Sequence, residues 1–265
     1  MGLWTETHAI TILPTFVVFT VLAIVIAKLL KDKPENVRWL PFRIMAGIIV
    51  VLEIVKQVLA FDGGEYDLYA LPFHYCSLFL YLFPLHAFAG LFIDKNGKAK
   101  KIMDTLALVC GASLVLMMLT MPANIYSEDA IKGFTDSFSS FHTVFFHNLA
   151  SFYVFLMVAM KMYEINVKQD LVYTAIFLSA YVILATILSY TLETNFHNLY
   201  KCNIDMFWDV VISMEQIIGV WARVIYVAIV FVLTTVIAYI GYFLAILIAK
   251  LSDVLAKSFS KSKEN

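Results

Sequence analysis

Charge is what this chain has least of. Only 15% of its 265 residues are Asp, Glu, Lys or Arg, against 62% hydrophobic, and the mean hydropathy is +0.83. Ordinary soluble domains are about 45–50% apolar, so the composition excludes that class and leaves an integral membrane protein. A net charge of −1 supplies no basic field for a phosphate backbone, which argues against nucleic acid as a partner. Cysteine is scarce as well. Cys76, Cys110 and Cys202 are odd in number and fit no CxxC or ligand spacing, so neither a disulfide framework nor a structural zinc motif is indicated. His74, His142 and His147 with a carboxylate would suit zinc or iron by donor type, but no HxxxH or ExxH pair shares a helix. No metal or other cofactor is expected. Met1 to His8 lacks the positive region of a cleavable signal, and the apolar run after it is long enough to stay in the membrane. Linkers rich in Pro, Gly or Ser and repeats of 20–50 residues are also missing, so residues 1–265 read as one domain.

What is present is a succession of long apolar runs. A crossing helix needs roughly 20 apolar residues, and seven segments qualify, at about 9–30, 39–60, 71–92, 102–121, 141–161, 171–191 and 221–249. The loops between them alternate in charge. Lys28, Lys31, Lys33 and Arg38 follow the first segment, Lys95, Lys98, Lys100 and Lys101 the third, and Lys161 and Lys168 the fifth, with Lys250, Lys257, Lys261 and Lys263 in the tail. The intervening loops carry Asp62, Glu65 and Asp67, then mostly acids with Lys132, then Lys201. Fourteen basic residues on one side against two on the other place the fourteen in the cytoplasm. The expectation is an all-α, multi-pass protein of the cell membrane with seven transmembrane helices, N-terminus outside and C-terminus cytoplasmic.

The connection 192–220 is long for such a bundle. Asp205, Asp209, Ser213 and Gln216 recur at helical spacing among Met206, Phe207, Trp208, Val211, Ile212 and Ile217. That pattern fits either an amphipathic helix on the outer surface or an outward extension of the seventh helix.

Topology turns position into depth. The second segment carries Glu53, Lys56 and Gln57 near its outer end, the third His74, Cys76 and Ser77 after Pro72, and the fifth His142, His147 and Asn148. Asn195 follows the sixth and Arg223 opens the seventh. Ionisable groups are costly at mid-membrane and mark functional pathways when several share a depth, so these residues predict a polar cavity toward the outer leaflet. The inner halves show little beyond His86 and Asp104. A cysteine nucleophile needs a base. On a helix, His74 and Cys76 would point about 200° apart, so His147 is the candidate base for Cys76, while His74 and Ser77 would share a face. Glu53, Lys56, Ser77, His142, Asn195 and Arg223 are candidates for substrate binding. Glu53 and Lys56 also read as a mutually neutralising i,i+3 pair.

The string Leu-Pro-Phe-His-Tyr-Cys-Ser-Leu at 71–78, the His147 region, Asn195 to Tyr200 and Gly219 to Tyr226 together resemble the YwaF-like bacterial integral membrane family of seven-helix proteins. This chain departs from that pattern where Phe196 and His197 follow Asn195, where Val220 and Ala222 replace two prolines, and in a longer spacer. The bacterial family is similar in turn to eukaryotic transmembrane acyltransferases that remodel ether phospholipids through a cysteine. The resemblance therefore implies acyl transfer, or hydrolysis of acyl esters, on membrane lipid at Cys76 with His74 and His147. The same polar groups also admit a transporter of a small ionic solute, or a non-catalytic lipid-binding or assembly partner.

Overall fold

The computed structural model describes residues 4–62 and 64–261; Met1 to Leu3 and Lys263, used above, lie outside them. The chain runs through α1 (Glu6–Leu30), α2 (Glu35–Arg38), α3 (Leu40–Leu59), a two-stranded ribbon of β1 (Phe61–Asp62) and β2 (Glu65–Tyr66), and α4 (Leu78–Phe88). It continues with α5 (Lys98–Thr120), α6 (Glu128–Lys132), α7 (Phe138–Met160), α8 (Val167–Thr191), α9 (Asp205–Ile218) and α10 (Trp221–Lys261).

Five of these helices are long and apolar enough to cross a membrane: α1, α5, α7, α8, and residues Trp221–Leu251 of α10. The second and third segments expected to cross are not among these five. The second is the 20-residue α3, which contains Arg43, Glu53 and Lys56. The third is built from the 3-10 turn Tyr75–Ser77, α4 and the 3-10 turn Ala89–Leu91, a helical stretch of Tyr75–Leu91. It does not begin at Pro72. His74 is its N-cap with extended backbone, φ −70° and ψ 156°, so the helical-wheel placement of His74 against Cys76 and Ser77 does not apply.

Helix direction alternates through the bundle, and contacts between distant loops show which ends meet. At one end Glu35 pairs with Lys95 at 2.6 Å and Lys101 with Glu164 at 2.7 Å, joining the three basic connections. Lys95 holds the Glu35 carboxyl below its usual range. At the opposite end Thr7 donates to Glu128 at 2.7 Å, and His8 Nε2 meets the Tyr126 carbonyl at 3.1 Å.

α5 is the centre of the bundle. Ala107, Val109, Cys110 and Leu114 are almost wholly buried, and Gly111 faces Val154, whose Cγ2 would lie 2.5 Å from an added Cβ. Gly241 of α10 rides directly on the α5 backbone; a Cβ there would lie 2.8 Å from the Ala112 carbonyl carbon and the Ser113 nitrogen. Small residues let helix backbones approach closely where lipid leaves no hydrophobic drive between them. α1, by contrast, buries the stripe His8, Ile12, Phe16 and Ala23. Phe16 and Phe19 meet Phe155 and Phe152 of α7 at centroid distances of 5.2 and 5.1 Å, and residues such as Ile10 and Val17 remain turned outward.

The end carrying the basic loops is more polar inside than the sequence suggested. Asp170 receives Thr105 Oγ1 at 2.8 Å, the Asn166 amide at 2.9 Å and the Tyr242 hydroxyl. His86 bonds the Tyr153 hydroxyl at 2.6 Å and the Met162 carbonyl at 3.0 Å. Lys100 pairs with Asp104 and lies 4.7 Å from the Trp39 ring centroid. Tyrosine and threonine, counted as apolar or neutral along the sequence, supply the partners that let these charges be buried.

The long connection 192–220 contains α9. It is a separate helix, because Gly219 adopts φ 59° and ψ −140° between it and α10. Glycine reaches that region without Cβ strain. α9 is held against the start of α10 by Arg223, which donates to Glu215 Oε2 through Nε at 2.9 Å and Nη2 at 2.7 Å and stacks 4.5 Å from the Trp208 ring.

Candidate functional site

The last turns of α3 carry the polar core of the site. Glu53 is 5% exposed, and its Oε1 receives Lys56 Nζ at 2.8 Å and Gln57 Nε2 at 2.6 Å. Gln57 also donates to the Ala70 carbonyl at 2.8 Å and accepts from the Tyr66 hydroxyl. The charges therefore sit in a framework that ties α3 to the segment leading into α4. Burial, then the Glu53 carboxylate, push the Tyr66 hydroxyl above its ordinary value. The other carboxylate oxygen, Oε2, faces His142 Nε2 of α7 at 3.7 Å.

Among the described residues the Glu53–Lys56 pair is met directly by Gln57 and, at 3.7 Å, by His142. His74, Cys76 and His147 make no hydrogen bond or ion pair to it. His74 Nε2 bonds the Tyr69 carbonyl at 3.0 Å, and its ring packs on Tyr69 and Phe196. His147 Nδ1 meets the Thr143 carbonyl at 2.6 Å and its ring lies beside Tyr126 and Phe146. Among the described residues no hydrogen bond joins Cys76 to either histidine. Ser77 is buried next to Cys76, and its amide donates to the His74 carbonyl at 3.0 Å.

Asn195 and Arg223 stand apart from this pair. Asn195 Oδ1 accepts the Tyr200 and Lys201 amides at 3.1 and 3.0 Å, and its Nδ2 donates to the Lys201 carbonyl at 2.9 Å. Arg223, besides Glu215, reaches the Tyr200 carbonyl at 3.3 Å. Both side chains brace the loop 195–200. His197 and Asn198 in that loop have φ of 51° and 58°, a reversal that drives Phe196 and Leu199 fully into the bundle. His197 stacks on Tyr75 at 5.3 Å and bonds Thr234 Oγ1 at 2.8 Å. The loop lies in the connection between α8 and α9, outside the spanning helices, and burial pushes its imidazole down to about 4.

A second polar layer, which sequence reasoning missed, lies under Cys76. The Tyr75 hydroxyl meets Ser113 Oγ at 2.6 Å, and Tyr181 donates to the Phe73 carbonyl at 3.0 Å. Tyrosines carry their polar atom at the end of an apolar body, and nothing in their spacing marks them. An apolar groove of about 320 Å³ opens between α1, α5, α7 and α10, past Ala23, Val115, Val158 and Ala245. None of Glu53, Lys56, His74, Cys76, His142 and His147 lines it. Among the described residues no group of three or more His, Cys, Asp or Glu is arranged to hold a metal ion.

Apolar helices of spanning length, packed through small residues and enclosing a few paired charges, define a multi-pass α-helical membrane protein. Residues 3–240 match the family model described as the TMEM164 family, and the chain belongs to that family. No curated protein and no solved structure matches it.

Proposed function

We propose that the chain crosses the membrane seven times, N-terminus outside and C-terminus cytoplasmic, and transfers an acyl group from a lipid ester through Cys76. The observation that carries the reading is the Glu53–Lys56 ion pair at 2.8 Å, with His142 3.7 Å from Glu53, on the helix that Gln57 ties to the segment leading into Cys76. A cysteine acts as its thiolate, and a cation beside it stabilises that form as it develops. The resemblance of Leu71 to Leu78 to the YwaF-like family, and through it to cysteine-dependent lipid acyltransferases, supports the same chemistry.

In this reading Cys76 Sγ bonds the acyl carbon of a membrane lipid ester, the ester C–O bond breaks, and a monoacyl lipid leaves. The proton lost by the thiol passes through His74 or His147 to the departing oxygen. Glu53, Lys56, Ser77 and His142 line the binding face, while Asn195 and Arg223 act through the loop that covers it. The charge alternation and the antiparallel run of the helices support the seven crossings. The test is an acyl-donating lipid probe on the purified protein, with the labelled residue located by mass spectrometry. Labelling at Cys76 that disappears in Cys76→Ala and falls in His147→Ala is expected. A folded protein that stays unlabelled by a probe active on another enzyme would sink the reading.

A further inference from the structure

The apolar groove between α1, α5, α7 and α10 has no part in the acyl-transfer reading. Its lining lies in the spanning portions of all four helices, between residues 20 and 24 of α1, 112 and 119 of α5, 154 and 159 of α7, and 241 and 248 of α10. The deep walls are small: Ala23, Ala112 and Ala245 are buried, and Gly241 has no side chain. In a membrane bundle small residues bring helices into contact. Gly241 does so with α5, but α1 packs on α6 and α7 while α10 packs chiefly on α5, α8 and α9. The two walls are carried by different partners, and space is left between them.

The lining decides what can fill that space. Among the described residues Thr20 is the only one lining the groove with a polar side chain, and its hydroxyl already donates to the Phe16 carbonyl at 2.8 Å. The groove therefore offers nothing to a headgroup or a polar solute, and apolar cavities stay dry. Its mouth is formed by Ile24, Leu119, Leu244 and Ile248, all exposed on the outward surface of spanning helices. The bilayer boundary thus continues into the bundle. A volume of about 320 Å³, at about 30 Å³ for a group the size of a water, is room for roughly ten chain carbons.

We propose that the groove binds one acyl chain of a membrane phospholipid, held as a resident lipid and not as substrate. The chain enters sideways past Ile24 and Ile248 and lies against Ala112, Val115 and Val158, with its headgroup left outside. It fills the gap between α1 and α10 and so ties α1, which buries only one stripe, to the rest of the bundle. Recognition is by the chain alone.

The test uses full-length protein, one copy per nanodisc, in phosphatidylcholine that carries a diazirine midway along one acyl chain. After irradiation the adducts are located by mass spectrometry. Adducts are expected on the half-buried Val115 and Val158 at higher yield than on Val17, which faces outward on α1. Val115→Phe, which fills the groove from its floor, should lose the groove adducts and keep those on Val17; Val158→Phe serves if that variant does not fold. Phosphatidylglycerol with the same chain should label equally, and so should Cys76→Ala. Groove adducts no stronger than those on Val17, or unchanged by the filling substitutions, would overturn the site. Labelling that follows the headgroup would overturn recognition by the chain alone. Loss of labelling in Cys76→Ala would make the occupant an acyl group carried on Cys76, and loss with two copies per disc would give the groove to a second copy of this chain. Because labelling needs no turnover, the site stands or falls separately from the acyl-transfer reading.

Discussion

At the scale of single residues, the Glu53–Lys56 pair is where structure and chemistry meet. A charge at the centre of a membrane helix costs about 2.5–3.5 kcal/mol on insertion scales, and the pair persists because each member neutralises the other at 2.8 Å. Removing one partner leaves the other uncompensated, which is worse than removing both. Lys56→Met should therefore destabilise the protein by on the order of 2 kcal/mol, less than for a fully buried pair, because the Lys56 side chain keeps 23% exposure. Adding Glu53→Gln should recover part of that loss. Thermal unfolding in detergent of both singles and the double variant checks this, and simple addition of the two effects would deny the coupling. His197 makes a second prediction. Its folded-state value of about 4 lies below the ordinary 6.5 because burial disfavours the cation. The folded state thus binds its proton less readily than the unfolded chain. The contribution to stability is fully present above pH 6.5 and is lost as pH falls from 6.5 toward 4. Unfolding temperatures measured from pH 7.5 to 4.5 should fall across that window, and His197→Gln should flatten the fall.

At the scale of elements, two glycines decide how α10 is placed. Gly241 permits backbone contact with α5, and a methyl group there has only the main chain of Ala112 and Ser113 to displace. Gly241→Ala should cost about 1–3 kcal/mol, the range for overpacking a tight contact, measured as lowered thermal stability. Gly47, where an added Cβ meets nothing within 4 Å, is the control, and Gly47→Ala should leave stability unchanged or raised. Gly219 does a different task, turning the chain between α9 and α10 so that Glu215 and Trp208 return to Arg223. These two elements were legible to different degrees. The periodicity of Asp205, Asp209, Ser213 and Gln216 pointed to α9, but only the positive φ at Gly219 separates it from α10. The apolar run predicts a segment from about residue 71, whereas the hydrogen bonds of residues 68–74 to one another and to Gln57 hold the stretch before Tyr75 outside the helix.

At the scale of the whole molecule, the distribution of charge and the distribution of contacts agree. The basic connections meet one another at one end through Glu35–Lys95 and Lys101–Glu164, and the acidic ones meet α1 at the other through Thr7–Glu128. An arrangement with seven crossings makes a definite prediction for intact cells. With Cys202 replaced by Ser, a cysteine introduced at Asp129 should react with a membrane-impermeant maleimide, and one introduced at Lys98 should react only after permeabilisation. The opposite pattern would invert the orientation, and reaction at both positions would break the alternation.

The sequence by itself determined the class of protein, the number of apolar segments and the sign of each loop. Those properties depend on composition summed over about 20 residues, and the bilayer reads them the same way whatever the tertiary packing. It also marked Glu53, Lys56, His74, Cys76, His142 and His147 as sharing a depth, because depth follows from position along a crossing helix. Only the tertiary structure decided which of them meet. Rotation about each helix axis and the path of short loops are set by packing against other helices, so Glu53 holds Lys56 and faces His142, and Asn195 with Arg223 brace a loop. The polar network of Asp170, Thr105 and Tyr242 was hidden for the same reason. Its members come from three helices far apart in the chain, and a hydroxyl on an apolar body shows its use only when its partner is in place.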